Sequence, residues 1–247
     1  RFPNVVTAMQ FERLLSASGP TEGHVQRPSD RLAPKKIAFL QCVGSRDSEH
    51  DYCSAVCCMY ATKEAVIACE HEPDTEVHVF RVDMRAFGKG YYQYYRRAKE
   101  RYGIKYTLCR ISYVGEDPAT HNLILKYVPE SKDRVVEESF DLVVLSTGMV
   151  IADSTRELAR RLNVELDEHG FCRTLPFRPL ETSREGIFAI GTFREPKDIP
   201  ESVVDGSGAA AAVGTILAPS RWTRTEMVVY PPERDVSAEE PRVGVFV

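Results

Sequence analysis

The sequence predicts an α/β fold built on a parallel sheet. Three observations carry that expectation. Apolar runs with the length of a buried strand occur at residues 37–40 (IAFL), 140–146 (FDLVVLS) and 186–191 (GIFAIG), and continuous apolar character marks strands covered on both faces. These runs alternate along the chain with helical patterns, as βαβ units require. The composition, 43% hydrophobic and 28% charged over 247 residues, is that of an ordinary globular chain with ample core.

Taken in order, residues 5–6 read as a short strand and residues 8–17 as a helix ended by Gly19-Pro20. Residues 19–35, polar and rich in Pro and Gly, read as a crossing loop. The strand at 37–40 follows, then a helix expected from Ser54 to Glu70. Residues 76–82 alternate Val with polar partners and read as a strand. Residues 91–102 form a helical pattern with tyrosines beside Arg96, Arg97, Lys99 and Arg101. A surface helix with inward tyrosines explains that pattern better than an RNA-stacking face. Short strands are expected at 105–109, 111–114, 122–128 and 134–138, the middle two joined across Glu116-Asp117-Pro118. The strand at 140–146 leads to a helix at 154–162, with Ser154 and Glu157 spaced as a capping box. After the strand at 186–191, a Gly/Ala-rich helix is expected from about Glu201 to Leu217. A helix made thin by Gly206, Ser207, Gly208 and Ala209–Ala212 serves close approach, to a cofactor or to the sheet. Residues 218–241 read as an extended linker and residues 242–247 (RVGVFV) as the first strand of a following domain.

The net charge of −4 gives no reason to expect nucleic acid or an anionic membrane as partner. No apolar run approaches the roughly 20 residues of a membrane helix, and no signal peptide is expected from the opening residues. Seven unevenly spaced cysteines fit reduced thiols or metal ligands, which places the expectation in the cytoplasm. The opening Arg1-Phe2-Pro3-Asn4, without an initiating Met, reads as the start of a segment of a longer polypeptide.

Four of the seven cysteines, Cys42, Cys53, Cys57 and Cys58, lie in one strand–loop–helix unit. With Cys53 in the first helical turn, Cys53 and Cys57 share a face, and Cys42 arrives from the strand. Three readings stand side by side. Four thiolates suit a [4Fe–4S] cluster, whose negative charge a helix N-terminus favours. Zinc prefers paired cysteine spacings, which C-x10-C-x3-C-C lacks. Buried cysteines packed as small hydrophobes are the third. The loop after the strand is CVGSRD and not G-x-G-x-x-G, so the dinucleotide fingerprint is missing and spacing alone supports no nicotinamide enzyme.

The segments QCVGSRD (41–47) and YCSAVCCMYATKEA (52–65) resemble the A-subunit family of heterodisulfide reductases, and the resemblance covers nearly all of residues 1–217. FPNVVTAMQFERLLSASGP, MRAFGKGY, DLVVLSTG and GTFREPKDIPESVVDGSGAAAA support it. The resemblance implies a thioredoxin-reductase-like flavoprotein: an incomplete FAD domain with an inserted NAD-domain-like α/β domain. Residues 1–30 would belong to the FAD domain and crossing loop, 31–145 to the inserted domain, 146–218 to the FAD domain again, and 219–247 to a linker and a new strand. It implies a [4Fe–4S] cluster on Cys42, Cys53, Cys57 and Cys58. It implies FAD contacts at Thr147, Gly148, Gly191, Thr192, Pro196, Asp198, Ile199 and Ser207, with Lys63 near the flavin N5 edge, where a cation stabilises reduced flavin. Read from its residues alone, Lys63 is an exposed helix lysine. Thr192 stands where most such flavoproteins carry Asp. The pyrophosphate-binding G-x-G-x-x-G would lie upstream of Arg1, so the FAD site is partial, and ferredoxin-type cysteine runs are absent. PRVGVFV resembles the opening of a further copy of the same kind of chain.

The function implied is electron transfer between FAD and the cluster, within a cytoplasmic complex of several subunits. Two rivals stand against it. One is a docking module whose cysteine loop carries zinc or nothing. The other is a dithiol–disulfide oxidoreductase using Cys57 or Cys58, since helix N-termini acidify thiols.

Overall fold

The computed structural model describes residues 2–245. One compact unit ends at Ala209 and a second begins at Ala210.

The first unit opens with β1 (Val5–Thr7) and α1 (Ala8–Leu15). Thr7 ends the strand and starts the helix, because its hydroxyl accepts from the Gln10 N–H while the Gln10 side chain accepts from the Thr7 N–H. β2 (Lys36–Val43), α2 (Cys57–His71), β3 (Glu76–Arg81), α3 (Tyr91–Tyr102) and β4 (Lys105–Leu108) follow. Next come β5 (Ile111–Glu116), β6 (Leu123–Tyr127), β7 (Val136–Phe140) and β8 (Leu142–Thr147). The five strands β1-β8-β2-β3-β4, in that spatial order, form one wholly parallel sheet. β5, β6 and β7 form a separate antiparallel sheet, its first hairpin turning across residues 117–122.

The parallel sheet lies between two apolar layers, as its continuous apolar strands require. On one face Ile37, Phe39, Val77, Val79, Leu142 and Val144 meet α1, α2 and α3. Ala61, Ala65 and Ala68 are almost fully buried, so α2 seats close to the strands. On the other face Ala38, Leu40, Phe80 and Val143 meet Leu123, Leu125, Tyr127 and Phe140 of the antiparallel sheet.

α4 (Asp153–Leu162), the hairpin of β9 (Thr174–Leu175) and β10 (Arg178–Thr182), and the start of α5 (Ile199–Leu217) complete the first unit. The second unit holds the end of α5, a 3-10 turn at Ala218–Ser220 and an exposed irregular stretch.

Several expectations change. β1 is the edge strand beside β8, and α1 packs in the core that covers the parallel sheet. The Ser154–Glu157 capping box does not form. Ala152 is the N-cap, and Glu157 pairs with Arg160 and Arg161 one turn on. Residues 186–191 make only an isolated bridge, Glu181 to Phe188, and both bounding glycines are left-handed. Of the strand expected at 242–247, residues 242–245 carry no regular structure; 246 and 247 lie outside the described residues.

His78 is a buried polar group in this core. It is 6% exposed and stacks on Phe80 at 4.1 Å between ring centroids; its Nε2 lies 2.6 Å from Thr107 Oγ1. Burial lowers its pKa from 6.5 to about 4, against the opposing pull of Glu138. The unfolded chain therefore binds a proton below about pH 6.5 that the folded chain refuses until about pH 4, and stability falls across that window. Glu64, buried on α2 and pushed up from 4.5 to about 8 by burial, acts in the opposite sense, since its contribution falls as pH rises. Comparison of wild type with His78→Leu isolates the imidazole. Urea unfolding should show a loss of about 3 kcal/mol between pH 6.5 and 4 that the variant lacks.

Candidate functional site

The site begins with a break in β2. Its ladder with β8 runs in register from Ile37 to Leu40, then shifts before Val43. Cys42 lies inside that shift in the left-handed region, at φ +60°. Such a bulge re-aims one side chain out of the strand's alternation. Three further left-handed residues follow in the loop, Gly44 at +68°, Arg46 at +57° and Ala55 at +60°. Non-glycine residues held there cost on the order of 1 kcal/mol each and gather at functional sites.

The helix starts later than its sequence pattern implies. α2 begins at Cys57 behind Val56, so Cys53 lies in the loop and not in the first turn. The reason is local. The Ser54 hydroxyl, which could have capped a helix, accepts from the Met149 N–H at 2.9 Å, and the left-handed Ala55 ends any helical path through it. Cys57 and Cys58 thus occupy the first turn, where backbone N–H groups lack helical acceptors.

The titration of Cys57 is coupled to that of Cys42 and of Cys58. Cys42 and Cys58, with burial, raise the pKa of Cys57, and Cys57 lowers theirs. Arg46 and Arg110 acidify Cys42 further; burial opposes them. The Cys58 sulfur lies 3.8 Å from the Asp83 carbonyl. Cys53 stands apart from the trio, its sulfur accepting from the Ala55 N–H at 3.4 Å. As the side chains stand, no three His, Cys, Asp or Glu among the described residues are disposed to hold a metal ion.

Gly148 explains how the loop is held. A Cβ there would lie 2.7 Å from the Gly44 carbonyl oxygen and 2.9 Å from Ser54 Oγ. The Gly148 N–H donates to the Val43 carbonyl at 2.8 Å. The Thr147 carbonyl accepts from Tyr60, and the Met149 carbonyl from Tyr52. The end of β8 is therefore a buttress for the cysteine loop. Ser45 and Ser146 are sealed from solvent there, and neither hydroxyl has a partner among the described residues.

Beside α2 lies an apolar cleft of about 410 Å³. Ala55, Val56, Met59 and Tyr60 line it from the residues that flank Cys57 and Cys58; Arg85, Phe87 and Tyr91 form another wall; Thr192 and residues 197–202 close it. Of the residues expected around a flavin, Thr192, Asp198 and Ile199 line this cleft. Thr147 and Gly148 serve the loop instead. The Gly191 N–H donates to Asp205 at 3.1 Å. Pro196 lies beside the buried Lys197 without lining the cleft, and Ser207 is exposed on α5. Lys63 is also outside the cleft, its ammonium paired with Glu12 of α1.

The cleft's α5 wall is built by charge. Asp198 and Glu201 cap the helix reciprocally, at 2.8 and 3.0 Å, and Tyr91 donates to Asp198 at 3.0 Å. Asp205, 8% exposed, accepts from Arg194 at 2.9 Å, from Lys197 and from Gly191. Lys197 and the Gly191 N–H help hold its carboxyl below the usual range, against its burial. Sequence reasoning missed this network and the Arg85, Phe87 and Tyr91 wall. The available signals were a lone acid inside an apolar Gly/Ala helix and the D-x-x-E spacing at 198–201.

No protein-family model matches the chain. The second iron–sulfur A-subunit of the CoB–CoM heterodisulfide reductase of Methanopyrus kandleri is 47% identical over 221 residues, 88% of this chain and 34% of that one. The corresponding iron–sulfur A-subunit of Methanocaldococcus jannaschii is 41% identical over 239 residues, 95% of this chain and 36% of that one. The chain thus spans about a third of the length of these curated relatives. Among solved structures, T. acidophilum thioredoxin reductase matches with a TM-score of 0.55 at 14% identity, over 88% of this chain and 58% of that one. That likeness establishes a thioredoxin-reductase-like fold. Among the described residues no helix is long and apolar enough to cross a membrane.

Two substitutions test the site's supports. Gly148→Ala should force the Gly44 carbonyl and Ser54 away from β8 and lower unfolding free energy by about 1–3 kcal/mol in a urea titration. Asp205→Ala should leave Lys197 and Arg194 without their buried counter-charge, at a cost on the order of 3 kcal/mol in the same measurement.

Proposed function

The chain belongs to the A-subunit family of heterodisulfide reductases, and on that premise we propose that it is an oxidoreductase segment, passing electrons between FAD and a [4Fe–4S] cluster. The observation that carries this reading is adjacency. Residues lining the 410 Å³ cleft, Val56 and Met59, flank the two cysteines that open α2, and the titration of Cys42 is coupled to that of Cys57.

The chain carries the donor types that both groups need, although as the side chains stand the thiols are not gathered to hold a metal ion. Four thiols are the donor set of a cubane cluster. Cys42, Cys57 and Cys58 would hold iron directly, and Cys53 would complete the set by turning its side chain in from the loop. The first-turn N–H groups of α2 and the helix dipole favour a negative group at this end. The hydroxyl of Ser45, buried without a partner three residues after Cys42, is placed to donate to one. Bound together, the two cofactors supply two-electron chemistry on one side and one-electron transfer on the other.

The chain's own residues do the rest. Met59, Phe87 and Ile199 line the cleft with apolar surface that keeps water from a flat aromatic ring. Thr192 and Asp198 offer polar contacts at its rim, Asp198 fixed by the Tyr91 hydroxyl. The Lys197–Asp205–Arg194 group holds the loop after Gly191 against α5, so that wall keeps one shape. The work would be done in a cytoplasmic complex of several subunits, as the relatives' names as subunits support.

One observation favours a second reading. Cys57 lowers the pKa of Cys42, as suits the attacking thiol of a dithiol, and this coupling involves a different pair from Cys57–Cys58.

One experiment separates the two. After anaerobic reconstitution, iron and labile sulfide should reach about four each per chain, and Cys57→Ala should lose both. A protein that takes up no iron and alkylates rapidly at Cys42 overturns the cluster reading in favour of the dithiol.

A further inference from the structure

We propose that the carboxyl ends of β3 and β4 form a binding site for a phosphate group, with the Arg81 guanidinium as its principal contact. The observation behind it is a cation without a counterpart. Arg81 is half-buried and its Nε is sealed from solvent, yet its side chain has no hydrogen bond or ion pair among the described residues. Every other buried or half-buried arginine and lysine there meets a carboxylate or a carbonyl. Arg27 meets Asp30 and the Thr120 carbonyl, Lys36 meets Glu138, Arg46 meets Asp83 and Lys63 meets Glu12. Lys126 meets Glu137, Arg156 the His169 carbonyl, and Arg194 and Lys197 share Asp205. A guanidinium drawn partly out of water is costly unless it is paired, and an anionic ligand supplies the pair.

Arg81 lines a cavity of about 360 Å³ that shares no residue with the cleft beside α2. That volume is within the range of small-molecule sites. Arg81 and Leu108, the last residues of β3 and β4, both line it, and the carboxyl edge of a parallel sheet is where such folds take up ligands. The turn between β6 and β7 forms another wall. It is held to β4 by the Glu130 N–H, which donates to the Leu108 carbonyl at 3.1 Å. That turn brings Ser131 and Lys132 to the cavity, and neither side chain has a partner among the described residues. A phosphate has several oxygens to satisfy, and guanidinium, ammonium and hydroxyl groups are suited to them. The Tyr106 and Tyr127 hydroxyls are already given to Thr62 and Glu138, so these two tyrosines offer ring surface to the body of a ligand. Glu130 lines the cavity as well, and its carboxylate competes with an anion for Arg81.

The test is calorimetric titration of the chain with inorganic phosphate and with phenyl phosphate. Both should bind saturably. Tighter binding of phenyl phosphate assigns a phosphate ester as the ligand; equal or tighter binding of the free ion assigns the ion itself. Arg81→Gln should weaken both about tenfold or more, the loss expected of a hydrogen bond between charged groups. Lys132→Ala should weaken them to a smaller degree. Glu130→Gln removes the competing carboxylate and should tighten them. No saturable binding to wild type at millimolar concentration, or unchanged affinity in Arg81→Gln, overturns the proposal. If Arg81→Gln does not fold, the other two variants decide: weaker binding in Lys132→Ala with tighter binding in Glu130→Gln supports the proposal, and any other pair of results overturns it. Neither cofactor of the proposed function enters this measurement, so its outcome is independent of that reading.

Discussion

The site depends on a fault in one strand ladder. β2 runs in register with β8 through Leu40 and then loses it, because Cys42 takes up a left-handed conformation inside a parallel sheet. A regular strand would have left Cys42 on the sheet's own alternation of faces. With the bulge, Cys42 leaves that alternation, and its titration is coupled to that of Cys57 in the first turn of α2. The cost of the unusual backbone is offset by what surrounds it. Gly148 closes on Gly44, the Met149 N–H holds Ser54, and Tyr52 and Tyr60 tie both sides to the end of β8.

The cleft has a different foundation. Its α2 wall is set by apolar packing, since α2 is buried through its alanines against the sheet. Its α5 wall rests on hydrogen-bonded charge: the Asp198–Glu201 cap and the Asp205 group. Buried charge of this kind contributes less to stability than to holding one geometry, because desolvation offsets much of the attraction. A loop that must present Thr192 and Asp198 in one arrangement is a place where that exchange is useful.

Much of the fold is legible in the sequence. The parallel strands at 36–43, 76–81, 105–108 and 142–147, the hairpin turning near Pro118 and the helix over 91–102 follow from apolar runs, alternation and Gly/Asp/Pro punctuation. What is not legible has specific causes. The start of α2 is misplaced because Ser54 looks like a cap and its hydroxyl is claimed by Met149, distant in sequence. Ser154 and Glu157 have capping-box spacing, but Arg160 and Arg161 compete for the carboxylate. Residues 186–191 have strand composition, yet a strand needs neighbours, and composition does not supply them. The placement of β1 against β8 is a matter of pairing, which three residues cannot encode. Of the site, the cysteines and the loop after Gly191 are visible as residue types. Lys63 shows the limit, since a lysine at the right helical position is captured by Glu12 on a neighbouring helix.

The close approach at Gly148 reaches beyond stability. A methyl group added at Gly148 would meet the Gly44 carbonyl, the Ser54 hydroxyl and the Ser45 side chain at once. A change at Gly148 is felt by Ser45 and Ser54, so substitutions at these positions should not add as independent events. Evolutionary drift or engineered exchange must then treat two distant stretches of polypeptide as a single inherited block. A chimera that imports the cysteine loop from a relative must import the turn after β8 with it, or the graft will not close.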